Sequence, residues 1–212
     1  MTDNIDKYNK GNATVKNGAD DQKSDKTDNL ENNIEDNERK MVDVIIPTYR
    51  PAKEFGELLH RLEKQEYRPN RILVMNTGKE YWNSEWENYP LLEVHHLDQK
   101  DFDHGGTRKR AAELSTADIM VFMTQDALPA DRKMIGNLVR AVSRNSGTGA
   151  AYARQLPNAD CRFLERYTRS FNYPEQSSVK SLSDVETYGI KTYFCSNVCA
   201  AYDREIYQTS SG

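Results

Sequence analysis

Residues 42–50 read Val-Asp-Val-Ile-Ile-Pro-Thr-Tyr-Arg. The β-branched run at their start predicts a buried strand that Pro47 ends. Behind it, Phe55, Leu58, Leu59 and Leu62 recur at i, i+3, i+4 and i+7, which is the spacing of the apolar stripe of a helix. A buried strand followed by an amphipathic helix is the opening of an alternating α/β pattern.

The alternation continues along the chain. Strands are predicted at 71–75, 91–94, 119–123 and 150–153, and helices at 107–114 and 135–142. His104-Gly105-Gly106 has the composition of a turn, and Thr107 is the expected cap of the helix behind it. This order of elements predicts an α/β domain with a mostly parallel sheet flanked by helices.

The first 40 residues have a different composition. They are rich in Asp, Asn, Lys and Gly, with Tyr8 as their only aromatic residue. Such a segment buries too little apolar surface to offset its ordering entropy. We therefore expect a disordered, acidic and Asn-rich tail at 1–40, and one domain at 41–212.

Composition also limits the class of protein. The chain has no apolar signal-peptide core and no run of about 18 apolar residues, which predicts a cytoplasmic protein without a membrane span; peripheral membrane association stays open. The net charge of −4 argues against a nucleic-acid partner. The three cysteines lack zinc-site spacing and are interpreted as reduced thiols.

Polar clusters follow the predicted strands. They are Pro47-Thr48-Tyr49, Asn76-Thr77, His104-Gly105-Gly106-Thr107-Arg108 and Thr124-Gln125-Asp126. Because ligands of parallel sheets bind beyond the carboxyl ends of the strands, we expect these clusters to form the site.

Two of these clusters fit a nucleotide diphosphate. Gly105-Gly106 would let backbone approach an anion at a helix start, and Arg108 would supply a fixed positive fork. The alternative for the glycine pair is a plain turn. Asp126 is interpreted as a Mg²⁺ or Mn²⁺ ligand, with a helix or turn cap as its alternative.

Longer blocks of sequence resemble known enzymes. Val44–Arg50 resembles the opening strand of family-two glycosyltransferases of GT-A fold. Five further blocks, in order, resemble the bacterial rhamnosyltransferases of that family: Phe102–Arg108, Phe122–Ala127, Tyr152–Pro157, Phe171–Pro174 and Ser196-Asn197.

The resemblance implies a GT-A, Rossmann-like nucleotide-diphospho-sugar transferase fold that is incomplete at the C-terminus. It implies donor contacts at Thr48, Tyr49, Asn76, His104, Gly105, Gly106, Arg108, Gln125 and Asp126. Positions toward the sugar and the acceptor would be Arg154, Gln155, Asn172 and Asn197. Thr124-Gln125-Asp126 takes the place of the family's Asp-X-Asp motif, so that only Asp126 would bind Mg²⁺ or Mn²⁺ directly.

The implied reaction transfers a deoxysugar, rhamnose from dTDP-rhamnose, with inversion onto a saccharide or lipid-linked saccharide in cell-surface polysaccharide synthesis. The family's general base follows the Ser-Asn block at some distance, so we expect it beyond Gly212 and expect this chain to lack it. Two alternatives stay open: a GT-A transferase with another sugar donor, and a non-catalytic nucleotide-sugar-binding or assembly module.

Overall fold

Six strands form one mixed sheet in the order β3-β2-β1-β4-β6-β5 in the computed structural model, which describes residues 39–157 and 161–210. The strands are β1 (Val42–Tyr49), β2 (Arg71–Thr77), β3 (Leu92–Leu97), β4 (Ile119–Met123), β5 (Ala150–Tyr152) and β6 (Cys199–Asp203). β1 pairs in parallel with β2 and β4, and β2 with β3, whereas β6 runs antiparallel to β4 and β5.

The helices are α1 (Glu54–Glu63), α2 (His104–Leu114), α3 (Met134–Val142), α4 (Phe163–Asn172), α5 (Val185–Tyr188) and α6 (Arg204–Thr209). α1 and α3 bury their apolar stripes, as predicted, against the sheet face formed by residues such as Val44, Ile46 and Val121. α2 covers the opposite face through Ala111 and Ala112. The result is a sheet between two helical layers.

The four parallel strands end at the same edge of the sheet. Thr48 of β1 pairs in register with Asn76 of β2, and Asn76 pairs with His96 of β3. β4 is buried along its whole length, as its continuous apolar sequence predicts. This edge therefore presents the last residues of β1, β2 and β3 next to the loop that follows β4.

Two local predictions are wrong. β1 continues through Pro47 to Tyr49. The pairing of β1 with β4 ends at Ile45, so at Pro47 the strand has only β2 as a neighbour. The missing N–H of Pro47 therefore does not interrupt the strand. α2 begins at His104, so the two glycines lie in its first turn and not in a preceding turn. Its cap is Asp103, whose side chain accepts from Gly106 N, and not Thr107.

The predicted tail at 1–40 lies outside the described residues except for its last two positions. Within the described ranges, every helix is too short or too polar to cross a bilayer.

Candidate functional site

A row of polar side chains crosses three strands at the carboxyl edge of the sheet. Thr48 Oγ1 donates to Asn76 Oδ1 at 2.9 Å, and Asn76 Nδ2 lies 3.0 Å from His96 Nδ1. Thr48 and Asn76 are buried, whereas His96 is half-buried. Side chains alternate between the two faces along each strand, and this places all three on the α1 side of the sheet. Because the three residues are paired in register, their side chains form one row.

A second contact joins the ends of β1 and β4. The side-chain amide of Gln125 accepts from Tyr49 N at 2.9 Å and donates to Tyr49 O at 3.2 Å. The next residue, Arg50, has a positive φ of 47°. Its guanidinium lies 4.4 Å from the centre of the Tyr81 ring and donates to the Tyr81 hydroxyl at 2.9 Å. Gln125 thus holds the backbone at Tyr49, next to an exposed surface that Arg50 and the Tyr81 ring form.

Arg108 projects from the first turns of α2, the helix that follows β3. Its Nη1 donates to His104 O at 3.0 Å, while its buried Nε has no hydrogen-bond partner within the described residues. Burial raises the pKa of Tyr202 and of Tyr207, and the positive charge of Arg108 opposes both shifts. The Arg108 charge therefore acts on both tyrosines, and Tyr202 donates to Asn197 Oδ1 at 2.5 Å.

Other polar atoms at this edge also lack partners. Thr77 Oγ1 at the end of β2 and Thr124 Oγ1 behind β4 are buried and make no hydrogen bond to any described residue. Leaving buried polar atoms unpaired costs about 1–3 kcal/mol each. Such a group of atoms at a sheet edge fits a site that a polar ligand completes.

Asp126 is exposed in the loop behind β4. In residues 39–157 and 161–210 its carboxylate has no hydrogen bond or ion pair, and no three His, Cys, Asp or Glu side chains are grouped closely enough to hold a metal ion. A hard carboxylate oxygen suits Mg²⁺ or Mn²⁺. The residues present therefore fit a metal whose remaining ligands come from phosphate oxygens and water, and they do not form a metal site alone.

The sugar- and acceptor-side candidates divide into separate contacts. Gln155 Nε2 donates to the Tyr173 hydroxyl at 2.6 Å and to Ser196 Oγ at 3.0 Å, and Gln155 Oε1 accepts from Arg169 at 2.7 Å. Asn172 and Gln155 line one open groove of about 520 Å³ beside α4. Arg154 forms an exposed 3.4 Å ion pair with Glu175.

The structure joins several of these groups into one edge. Thr124 N donates to Val198 O, which connects the loop behind β4 to the segment carrying Asn197 and hence to Tyr202. His104, Gly105 and Gly106 form the exposed first turn of α2. Among the described residues, the Arg154 side chain makes no hydrogen bond or ion pair with the donor-side candidates.

Some residues of this edge were not singled out from the sequence. They are His96, which contacts Asn76, Tyr202, which contacts Asn197, and Tyr81, which contacts Arg50 at the end of β1. Tyr173 and Ser196, which contact Gln155, lie in blocks quoted for the resemblance but have no role assigned there. His96 lies two residues after the predicted strand 91–94. Its place as a polar residue at a strand end could have been recognised from the sequence. Tyr202 lies in β6, which has no β-branched residue and therefore no strand pattern in the sequence.

Comparison with known proteins identifies the class. Residues 43–210 match the family model Glycosyl transferase family 2. The chain is 39% identical over 178 residues to the O-antigen chain rhamnosyltransferase RfbN of Salmonella typhimurium, covering 81% of this chain and 55% of that protein. It is 29% identical over 171 residues to the O-antigen chain rhamnosyltransferase WbaN of Salmonella anatum, covering 80% and 54%. The chain thus spans about half the length of these relatives.

Solved structures share the fold. The mannosyltransferase PcManGT from Pyrobaculum calidifontis, in complex with GDP-Man and Mn²⁺, superposes with a TM-score of 0.58 at 20% identity, covering 82% of this chain and 47% of that one. S. aureus TarS 1-349 gives a TM-score of 0.56 at 16% identity, covering 81% and 49%. The expected GT-A fold is confirmed. The chain belongs to glycosyl transferase family 2.

Proposed function

We propose that this chain binds the donor in the transfer of rhamnose from dTDP-rhamnose, with inversion, onto a saccharide or lipid-linked saccharide of a cell-surface polysaccharide. The observation that carries the proposal is a set of buried polar atoms at the carboxyl edge of the sheet that have no partner among the described residues: Thr77 Oγ1, Thr124 Oγ1 and Arg108 Nε. The donor is named from the similarity to O-antigen chain rhamnosyltransferases.

The chemistry of the reaction suits these residues. As the bond from the anomeric carbon to the diphosphate oxygen breaks, negative charge grows on the diphosphate. The Arg108 guanidinium and the N-terminal amides of α2 would offset that charge. The row Thr48–Asn76–His96 and the backbone held by Gln125 would position the nucleoside.

A divalent metal would supply further positive charge at the diphosphate when it is bound. Asp126 would hold it through one carboxylate oxygen. The Gln155 network and the groove beside α4, with Asn172, would face the acceptor. Asn197, through its contact with Tyr202, would lie between the two sides.

Calorimetry with a panel of nucleotide sugars tests the proposal. We expect dTDP-rhamnose to bind at least about tenfold more tightly than GDP-mannose or UDP-GlcNAc, a difference of about 1.4 kcal/mol. Mn²⁺ should strengthen the binding of dTDP-rhamnose to the unaltered chain and have no effect on an Asp126→Asn variant.

Asp131→Asn is the matched control, because Asp131 is also an exposed loop aspartate and accepts from Lys133 N at 2.8 Å. It should keep the full response to Mn²⁺. A preference for GDP-mannose would contradict the donor assignment. Equal affinity for dTDP-rhamnose with and without Mn²⁺ in the unaltered chain would contradict the metal role of Asp126.

A further inference from the structure

The amide of Asn76 has only one orientation that satisfies its neighbours. One end of the amide receives the Thr48 hydroxyl, and the other end faces Gly78 O at 3.4 Å and His96 Nδ1 at 3.0 Å. A carbonyl oxygen such as Gly78 O can only accept. The end that faces it must therefore be the NH₂ group, and Asn76 Oδ1 must be the atom that accepts from Thr48.

This orientation fixes the tautomer of His96. Asn76 Nδ2 is a donor only, so His96 Nδ1 must accept and cannot carry a proton in this arrangement. The single proton of the neutral ring then lies on Nε2. Within the described residues, His96 Nε2 has no hydrogen-bond partner. The row across the three strand ends thus terminates in one unused N–H donor.

The surroundings of His96 favour its neutral form. Trp82 packs edge-on against the ring, with 6.0 Å between ring centres. Burial lowers the pKa of His96, and the positive charge of Lys79 lowers it further, whereas Glu87 raises it. Glu87 is also the acceptor of Trp82 Nε1 at 3.1 Å. Among the described residues, Lys79 and Glu87 are the charged groups that act on the ring, and the net lowering of its pKa favours the neutral form at neutral pH.

We propose that His96 helps to bind the nucleotide by donating a hydrogen bond from Nε2 to a carbonyl oxygen of the donor's pyrimidine base, with Asn76 as the positioning residue that sets its tautomer. This inference rests on the proposed function, which makes the donor a dTDP-sugar. A thymine carbonyl oxygen accepts and never donates, so the site requires a donor at that position. An Nδ1-protonated ring would present a lone pair there and repel the base.

Nitrogen NMR of the imidazole rings tests the tautomer without any ligand. The His96 ring is assigned by its loss in a His96→Gln variant. We expect Nε2–H in the unaltered chain at neutral pH. In Asn76→Asp the new carboxylate accepts from Nδ1–H, so the His96 pKa should rise by about one unit or more. An Nδ1–H tautomer in the unaltered chain would overturn the inference.

Binding of dTDP provides the second test. His96→Phe keeps a ring but has no donor, and it should bind dTDP about tenfold more weakly. His96→Gln retains an N–H donor and should stay within about threefold. His60→Gln, on the exposed face of α1, is the control and should not change the affinity.

The outcomes separate the two proposals. If the unaltered chain does not bind dTDP, the proposed function fails and this inference with it. If it binds dTDP and His96→Phe binds equally well, only the His96 inference fails. Should His96→Phe fold poorly in a thermal melt, the comparison of His96→Gln with His96→Ala decides, because equal affinity of these two variants would contradict the donor role.

Discussion

The Arg108 guanidinium uses only part of its hydrogen-bonding capacity within the described residues. Nη1 is held by His104 O, while the buried Nε is unpaired in the described structure. A guanidinium fixed in this way is preorganised for a diphosphate, because little rotamer entropy is left to lose on binding.

Replacing Arg108 by alanine should therefore weaken dTDP binding by about 10- to 100-fold, the effect of losing one or more charge-assisted hydrogen bonds. Thymidine, which has no phosphate, should bind with unchanged affinity. Arg110→Ala on the same helix is the control, since Arg110 is exposed. Calorimetry with both ligands checks this, and equal losses for dTDP and thymidine would remove Arg108 from the diphosphate site.

The cysteines should differ sharply in reactivity. Burial raises the pKa of Cys199 to about 12, whereas Cys195 is exposed. Because only the thiolate attacks an alkylating reagent, iodoacetamide at pH 8 should label Cys195 and leave Cys199 unlabelled until the chain unfolds. Peptide mass spectrometry measures both sites in one sample. Rapid labelling of Cys199 in the folded chain would show that β6 opens locally.

At the scale of elements, prediction from sequence worked where apolar spacing was regular. α1 and α3 carry apolar side chains at the helical period, and burial follows that period. β4 is a continuous apolar run and is buried along its whole length. The end of β1 was missed because a proline breaks a strand only where its N–H would be needed. Whether the N–H missing at Pro47 would be needed depends on where the neighbouring strand β4 ends, and the local sequence does not contain that information.

The start of α2 shows a similar dependence on geometry. Asp103 accepts from Gly106 N, and a Cβ on Gly106 would lie 2.8 Å from the capping carboxylate oxygen, whereas a Cβ on Gly105 would lie at an ordinary 3.6 Å. Only a side chain at the second glycine would therefore crowd the capping carboxylate of Asp103. Sequence composition alone cannot separate this role from that of a turn.

Gly106→Ala should consequently displace the Asp103 side chain, and losing about 1 kcal/mol of N-cap stabilisation should leave it about 1 kcal/mol less stable than Gly105→Ala, which makes the same gain in helix propensity. Gly105→Ala, one residue earlier, should leave stability unchanged or raise it by up to about 1 kcal/mol, because alanine is the better helix former. Urea denaturation of both variants measures the difference. Equal stability of the two would show that the cap does not depend on space at Gly106.

At the scale of the whole molecule, the α/β alternation was sufficient to predict which loops share one edge, because parallel strands bring their carboxyl ends together. Thr48, Asn76 and Gln125 indeed contact neighbouring strand ends there. The segment between β5 and β6 could not be predicted in the same way. α4 buries none of its residues, so no apolar period is tied to the core.

The opposite edge of the sheet is held by a charged network. Asp43 of β1 is fully buried and accepts from Arg71 Nη2 at 2.8 Å and from Ser115 Oγ at 2.8 Å. Arg71 also pairs with Glu93 of β3 at 2.7 Å and donates to Leu114 O at the end of α2. One guanidinium thus connects β1, β2, β3 and α2.

Removing that guanidinium should destabilise the whole fold. In Arg71→Met the Asp43 carboxylate stays buried without its counter-charge, which costs about 3–5 kcal/mol. Adding Asp43→Asn should recover part of this loss, because a neutral amide is cheaper to bury and can still accept from Ser115. Lys100→Met is the control: its pair with Asp98 is exposed on both sides, 77% and 76%, and should contribute less than about 1 kcal/mol. Urea denaturation gives all four free energies of unfolding. A double variant less stable than Arg71→Met would mean that packing, and not the unpaired charge, sets the cost.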